Sequence, residues 1–207
     1  MPAWDGNPAH APGSPPSVLD EFDPGDASGL DARRLMKWDF AKQSLLDLDR
    51  YDPSEFGSLL LGSGYWIKLN TGDPIRVSFS GVSDSDSTDM WISLPRVGWT
   101  LIGYPYSYPA PDATPGPPYY TGTAYPWSSV KVTDGMTTKS LSEASQYSAG
   151  WIRSVAFWYD TGSGGFVSLG LPDDRPVEGS LIAWHGYWVK SLKDDLALIF
   201  EANPPSP

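Results

Sequence analysis

Two histidines are the side chains of this chain best suited to proton transfer near neutral pH. His10 lies in a stretch rich in Pro, Gly and Ser, and His185 directly precedes the phrase Gly186-Tyr187-Trp188. The same phrase occurs earlier as Gly64-Tyr65-Trp66, where Ser63 stands in the place of His185. Because a general base used by both copies would be present in both, we interpret His185 as a structural or surface residue.

Other motifs typical of catalysis are incomplete. The chain has no Gly-x-Ser-x-Gly elbow for a serine nucleophile. The segment Gly162-Ser163-Gly164-Gly165 is flexible enough to wrap a phosphate, but no Lys-Ser or Lys-Thr follows it. It lies between Tyr159-Asp160 and Phe166, a setting typical of a hairpin turn. The chain has no cysteine, which excludes thiolate metal sites and cysteine nucleophiles.

Carboxylates are abundant, so their number alone allows the acid pair of a glycoside hydrolase. Most of them lie in segments with the composition of linkers and turns, where solvated charge is the simpler interpretation. The pattern Asp84-x-Asp86-x-x-Asp89 could supply oxygen ligands to calcium, but it lacks the glycine and the distal glutamate of an EF-hand loop. We therefore predict no catalytic residue, no metal site and no cofactor.

Aromatic side chains carry the remaining functional indication, with 10 Trp, 11 Tyr and 7 Phe in 207 residues. Most of these rings are expected in the core of a β module that has no disulfides. Exposed flat rings, by contrast, suit stacking on the faces of sugars. We predict a ligand-binding set in and beside the proline-rich segment from residue 106 to 125: Tyr104, Tyr106, Tyr108, Tyr119, Tyr120 and Tyr125. The alternative is that these tyrosines pack back onto the sheet and complete a contact with another protein.

Charge and hydropathy exclude two classes of function. The formal net charge of −11, without a stripe of Lys or Arg, disfavours nucleic-acid binding. The longest apolar runs are far shorter than the roughly 20 residues that a membrane-spanning helix needs. The amino terminus has neither a basic start nor an apolar stretch, so we expect either a cytosolic protein or a fragment whose leader lies outside this chain.

The elements that must position these residues are mainly short β-strands. Residues 1–30, rich in Pro, Gly and Asp, are predicted to form a flexible arm. A small β unit over 31–82 and a larger β-sandwich-like unit over 86–202 should follow, separated by a polar, acidic stretch. The exception to the β pattern is one short helix within 138–150, with a capping box at Ser140 and Leu141, Ala144 and Tyr147 on one face.

The repeated phrase indicates a partial internal duplication. Each copy follows an aromatic-Asp pair, Trp38-Asp39 or Tyr159-Asp160, at nearly the same spacing. Each copy also precedes a short alternating apolar run, from Ile75 to Phe79 or from Leu196 to Phe200. Such a recurrence is explained more easily by folding than by a single active site.

From residue 98 to 200 the chain resembles a repeat module of large secreted or surface-attached bacterial proteins. The resemblance lies in the opening Gly98-Trp99-Thr100-Leu101-Ile102-Gly103-Tyr104-Pro105, in Pro126-Trp127 and Glu143-Ala144, and in the closing Gly186-Tyr187-Trp188-Val189-Lys190. The first unit matches only the latter half of this pattern. The resemblance implies an accessory role on an extracellular or cell-surface protein and carries over no catalytic residue, since the pattern consists of packing and turn residues.

These observations leave three hypotheses. The first is a non-catalytic extracellular module that binds a polysaccharide or spaces and attaches other domains. The second is a structural subunit of a surface assembly or filament, with neighbouring protein subunits as partners. The third is an acidic glycoside hydrolase, which the incomplete catalytic motifs disfavour.

Overall fold

The computed structural model describes residues 30–47, 60–69, 88–105, 125–170, 179–182 and 185–202. The chain divides into two compact units, one comprising residues 1–61 and 65–83, the other residues 62–64 and 84–207. The predicted arm apart from Leu30, the run Ile75–Phe79 and most of the proline-rich segment lie outside the described residues.

The fold is mainly β with one short helix, as the sequence predicts. The first unit contains strands β1 (Leu30–Asp39), β2 (Ser44–Asp47) and β3 (Tyr65–Leu69), which form an antiparallel sheet in the order β2-β1-β3. Leu35 and Leu46 are its buried apolar residues among those described. Ile67, which alternation places with Tyr65, is 46% exposed.

The second unit contains ten described strands and the helix. The strands are β4 (Met90–Leu94), β5 (Gly98–Gly103), β6 (Tyr125–Pro126), β7 (Lys131–Thr133), β8 (Thr138–Ser140), β9 (Ala156–Asp160), β10 (Gly165–Leu169), β11 (Ser180–Leu181), β12 (Gly186–Ser191) and β13 (Leu196–Phe200). They form two four-stranded sheets, β10-β9-β12-β5 and β4-β13-β7-β8, and the two-stranded sheet β11-β6. Residues from both larger sheets, among them Ile102, Val189, Leu198 and Phe200, belong to one buried cluster, so the arrangement is sandwich-like.

The helix, α1, spans only Leu141–Ser145. Its predicted capping box is present, because the Ser140 side chain accepts from the Glu143 backbone and the Glu143 side chain accepts from the Ser140 backbone. The prediction for Tyr147 was wrong, since this side chain is fully exposed. The physical reason is pairing with residues outside the helix. Thr138–Ser140 is held extended as strand β8, and the chain leaves the helix at Gln146.

The two aromatic-Asp pairs end strands that turn in the same way. Asp39 accepts from the backbone of Ala41 (2.7 Å) and Lys42 (3.0 Å), and Asp160 accepts from Gly162 (2.9 Å) and Ser163 (3.2 Å). In both loops the last residue before the next strand has a positive φ, 49° at Gln43 and 70° at Gly164. The predicted hairpin at 162–165 is therefore confirmed.

The two Gly-Tyr-Trp phrases also occupy the same register. Tyr65 lies opposite Lys37 on β1, two residues before Asp39, and Tyr187 lies opposite Trp158 on β9, two residues before Asp160. The strand arrangement β2-β1-β3 thus matches β10-β9-β12 position by position.

A shared hydrogen bond completes this correspondence. The Tyr65 hydroxyl accepts from the backbone N–H of Leu60, and the Tyr187 hydroxyl accepts from that of Ile182, in each case five residues earlier and at 2.7 Å. Each tyrosine therefore fixes the turn that leads into its own strand.

The glycine of each phrase is explained by close packing beside β5. Gly64 donates to the carbonyl of Leu101 (3.1 Å), and Gly186 pairs with Gly103 of β5. A Cβ on Gly64 would lie 2.6 Å from Leu101 Cγ and 2.8 Å from the Ile102 oxygen. A side chain larger than hydrogen does not fit at residue 64 without displacing the strand. In the described part of the chain, no helix has the length and hydropathy needed to cross a membrane.

Candidate functional site

One face of the sheet β10-β9-β12-β5 carries a group of aromatic rings, which we call the aromatic face. Its position follows from pairing, since residues directly opposite each other on neighbouring strands share a face, as do alternate residues of one strand. Tyr159 lies opposite Phe166, Trp188 opposite Phe157, and Lys190 opposite Trp99. The aromatic face consists of Trp99, Phe157, Tyr159, Phe166 and Trp188, with Lys190 beside them.

The other face of the same sheet belongs to the core. Ala156, Leu169, Tyr187 and Val189 point to that side and are at most 1% exposed. The aromatic face is the less buried side, because Trp99, Phe157 and Trp188 are half-buried and Tyr159 and Phe166 are exposed. Its rings lie outside the main buried cluster, although Leu101, which shares this face opposite Trp188, is 5% exposed.

The most accessible part of the aromatic face lies at the β9–β10 hairpin. Tyr159 is 36% exposed and Phe166 is 59% exposed. Their ring centroids lie 5.3 Å apart with an interplanar angle of 76°, an edge-to-face pair. In such a pair the rings hold each other in place, so little rotamer entropy is left to lose when a ligand stacks on them.

Farther along the sheet, two rings meet across β12. Trp99 and Phe157 are separated by 5.9 Å between centroids, with an interplanar angle of 63°. The Lys190 ammonium lies 5.4 Å from the centre of the Trp99 ring, a distance at which a cation is attracted to the ring face. This end of the aromatic face therefore combines apolar area with a hydrogen-bond donor.

A carboxylate ends strand β9 and enters the hairpin loop. Hydrogen bonds from Ser163 and from the Gly162 backbone lower the pKa of Asp160, so that it is ionised at neutral pH. Asp160 directly follows Tyr159 in the chain. Because residues alternate between the two faces of a strand, Asp160 lies on the side of Trp158 and His185 and not on the aromatic face.

His185 packs on the opposite side of β9. Its ring stacks on Trp158 at 4.6 Å with an interplanar angle of 18°. Burial lowers the pKa of His185, and the negative charge of Asp160 opposes this shift only in part. Its Nδ1 is buried and has no hydrogen-bond partner among the described residues. The structure thus places a neutral imidazole that packs as a ring, which agrees with a structural role.

Two of the predicted ligand-binding tyrosines lie in the core or against it. Tyr125 is 1% exposed, and its hydroxyl accepts from the Glu201 backbone at 3.0 Å. Tyr104 packs against Tyr125 (5.8 Å) and Phe200 (6.2 Å). The expectation of exposed stacking rings is therefore wrong for Tyr125, because its ring packs against Tyr104 and against Phe200 at the carboxyl end of β13. Tyr104, half-buried, belongs to the same cluster of rings.

The other four predicted tyrosines lie outside the described residues: Tyr106, Tyr108, Tyr119 and Tyr120. His10, Asp84 and Asp86 lie outside them as well. Asp89 is described, and its carboxylate accepts from the backbone N–H of Ala202 at 3.1 Å, an interaction that holds the segment directly after strand β13. Within the described ranges, no group of three or more potential metal-ligating side chains is found.

The described carboxylates with a shifted pKa are those engaged in local structure. Lys193 and the backbone of Thr137 lower the pKa of Asp134 to about 2, and Ser140 lowers that of Glu143 in the capping box. A general acid of a glycosidase requires the opposite shift, toward neutral pH. These carboxylates are hydrogen-bond acceptors of turns and caps.

Sequence reasoning did not identify the aromatic face. The available indication was the alternation of Phe157 with Tyr159, together with Trp99 and Trp188 on strands that the sequence predicts. That alternation is hidden, since Trp158 and Tyr187 are also aromatic and lie on the opposite face.

Comparisons of the chain with protein-family models, with curated proteins and with solved structures found no match. The functional argument therefore depends on the residues and geometry of this chain.

Proposed function

We propose that this protein is a non-catalytic accessory module of a larger extracellular or surface-attached bacterial protein, and that it binds a glycan through the aromatic face. The observation that carries the proposal is the Tyr159–Phe166 pair, two exposed rings held edge to face and outside the main buried cluster. Exposed aromatic area of this kind is a binding feature more often than a structural one. A sugar ring offers an apolar C–H surface for stacking and hydroxyl groups for Lys190.

The resemblance of the second unit to repeat modules supports the accessory role. The two matching strand arrangements, with the same hairpin and the same tyrosine hydroxyl bond, support the further proposal that the two units arose by duplication. Repeated modules serve as spacers or as multiple binding points on large surface proteins.

The test is retention on immobilised or gel-embedded polysaccharides of the purified chain and of a variant carrying Tyr159→Ala and Phe166→Ala. We expect the variant to bind at least about tenfold more weakly, equivalent to ~1.4 kcal/mol, with a nearly unchanged melting temperature. Tyr147→Ala is the matched control, because Tyr147 is fully exposed but lies beyond helix α1 and not on the aromatic face. Equal binding by both variants would contradict the proposal.

The proline-rich segment is tested in parallel, because the prediction for its four tyrosines stands untested. If they stack on sugars, replacing Tyr106, Tyr108, Tyr119 and Tyr120 with alanine abolishes retention without lowering the melting temperature. If only the Tyr159/Phe166 variant loses binding, the ligand site is confined to the sheet.

Self-assembly is the second candidate, and one observation favours it. Strand β4 is an outer strand of its sheet in the order β4-β13-β7-β8, and it carries Trp91, which is 58% exposed. Outer strands with an exposed large ring are points of association between chains. Light scattering over a hundredfold range of concentration separates the two candidates. A monomer favours the binding module, whereas a defined oligomer that Trp91→Lys dissociates favours assembly.

A further inference from the structure

We infer that the first unit carries a second glycan-binding site, formed by Trp38 and Leu45 at the β1–β2 hairpin; this inference rests on the proposed function. Equivalence of position supports it. In the first unit, Trp38 and Leu45 occupy the places that Tyr159 and Phe166 occupy in the second unit.

The two hairpins are built in the same way. Residues 40–43 connect the strands of the first hairpin, and residues 161–164 connect those of the second. In both loops the aspartate that ends the first strand accepts from the backbone N–H groups two and three residues later. The last loop residue has a positive φ in both. Because loop length and turn conformation fix the register of a hairpin, the residue pair next to the paired loop ends is placed alike in the two units.

This residue pair combines an aromatic ring with an apolar neighbour in each unit. Trp38 lies directly opposite Leu45, as Tyr159 lies directly opposite Phe166. Residues directly opposite each other share a face of the sheet. Leu45 is 37% exposed and Trp38 is half-buried, so the first pair also presents apolar area to solvent.

The buried leucines of the first unit lie on the other face of its sheet. Leu46 pairs with Lys37, which alternates with Trp38 along β1. Leu35 lies two residues before Lys37 and therefore on the same face as Lys37. Leu46 is 3% exposed and Leu35 is 2% exposed. Trp38 and Leu45 consequently lie on the face opposite to these two residues.

The chemistry of the Trp38–Leu45 pair suits a sugar. An indole ring offers a large flat apolar area on which the C–H face of a sugar can stack. Leucine adds apolar contact but has no ring face, so we expect this site to be the weaker of the two. A polysaccharide carries many copies of its sugar, and two linked sites on one chain raise the apparent affinity for such a ligand.

The experiment is affinity electrophoresis of the intact chain in gels that contain one polymer each: hydroxyethyl cellulose, galactomannan, soluble starch or alginate. The variant Trp38→Ala plus Leu45→Ala is run beside Tyr159→Ala plus Phe166→Ala and beside the combination of all four replacements. In the polymer that retards the parent chain most, we expect the first-unit variant to bind at least about threefold more weakly, because the gain from linked sites is lost. The residual retardation of the second-unit variant should disappear in the combined variant.

Two further variants separate binding from folding in the first unit. Ile67→Ala is the matched control, because Ile67 is 46% exposed and lies opposite Leu35, on the other face of the same sheet. It should be retarded like the parent chain. Leu45→Phe keeps Trp38 and gives the hairpin two rings, as in the second unit, so it should strengthen retardation. A Leu45→Phe variant that binds no better than the parent would speak against a site at this hairpin.

The outcomes separate the inference from the proposed function. If the Trp38/Leu45 variant is retarded like the parent while the Tyr159/Phe166 variant is not retarded at all, the chain has one site and only the inference is overturned. Residual retardation that is equal in the Tyr159/Phe166 variant and in the combined variant would overturn it as well, since the remaining site would lie elsewhere. Absence of retardation of the parent chain in every gel would overturn the proposed function and the inference together.

Discussion

Removal of the Tyr187 hydroxyl tests whether the hydrogen bond common to both units stabilises the fold. Tyr187 is 1% exposed, and its hydroxyl accepts from the Ile182 N–H at 2.7 Å. Tyr187→Phe keeps the ring and deletes the acceptor, which leaves a partly buried N–H without its bond. The variant loses the net contribution of one hydrogen bond and also leaves a donor partly unsatisfied, which together lower the free energy of unfolding by about 1–2 kcal/mol. For a chain of this size the melting temperature should fall by about 3–6 °C.

Tyr65→Phe is the matched control for this prediction. It deletes the same bond to a residue five positions earlier, but Leu60 is 61% exposed, so its N–H can bond water instead. The expected loss is below about 0.5 kcal/mol. Calorimetry, or urea denaturation followed by tryptophan fluorescence, measures both variants. Equal losses in the two variants, or no loss for Tyr187→Phe, would refute the argument that burial decides the value of this bond.

Two further predictions concern packing and pH. Gly64→Ala should lower the free energy of unfolding by about 1–3 kcal/mol, because the added Cβ would lie 2.6 Å from Leu101 Cγ. Gly165→Ala is the control. Nothing lies within 4 Å of the Cβ added there, so this substitution should be nearly neutral in the same denaturation assay. A loss at residue 165 as large as that at residue 64 would speak against the close approach beside β5. Burial lowers the pKa of His185 below its ordinary 6.5, so the unfolded chain binds a proton that the folded chain does not, and stability should fall as the pH drops below about 6.5. Melting temperatures between about pH 7.5 and pH 5 should therefore fall less in His185→Gln than in the parent chain, and an equal fall in both would show that other groups cause it.

Features that depend on neighbouring residues could be predicted from sequence. The hairpin after Asp160 follows from a carboxylate that accepts from the two N–H groups of its own turn, and the capping box follows from Ser140 and Glu143 three residues apart. Strand β13 was predicted with its observed bounds, because Leu196–Phe200 is a short apolar run between turn residues. These interactions are made within a few residues, so the local sequence contains both partners.

The helix shows where local prediction ends. Its periodicity extends to Tyr147, yet the helix stops at Ser145 and the Trp151 N–H bonds to the Ala144 carbonyl. The residues before it, Thr138–Ser140, pair with β7. Partners from elsewhere in the chain decide both ends.

The sequence by itself determined that this protein is mainly β, that the Gly-Tyr-Trp phrase recurs, and where single turns and caps form. The tertiary structure alone decided which rings are buried. Along β9, Phe157, Trp158 and Tyr159 are all apolar, so a period of two cannot tell the core face from the aromatic face. Pairing with β10 and β12 makes that choice, since it turns Trp158 toward Tyr187 and the core and leaves Tyr159 beside Phe166. Tyr125 is decided in the same way, because strand β13, which lies about seventy residues later in the chain, encloses it.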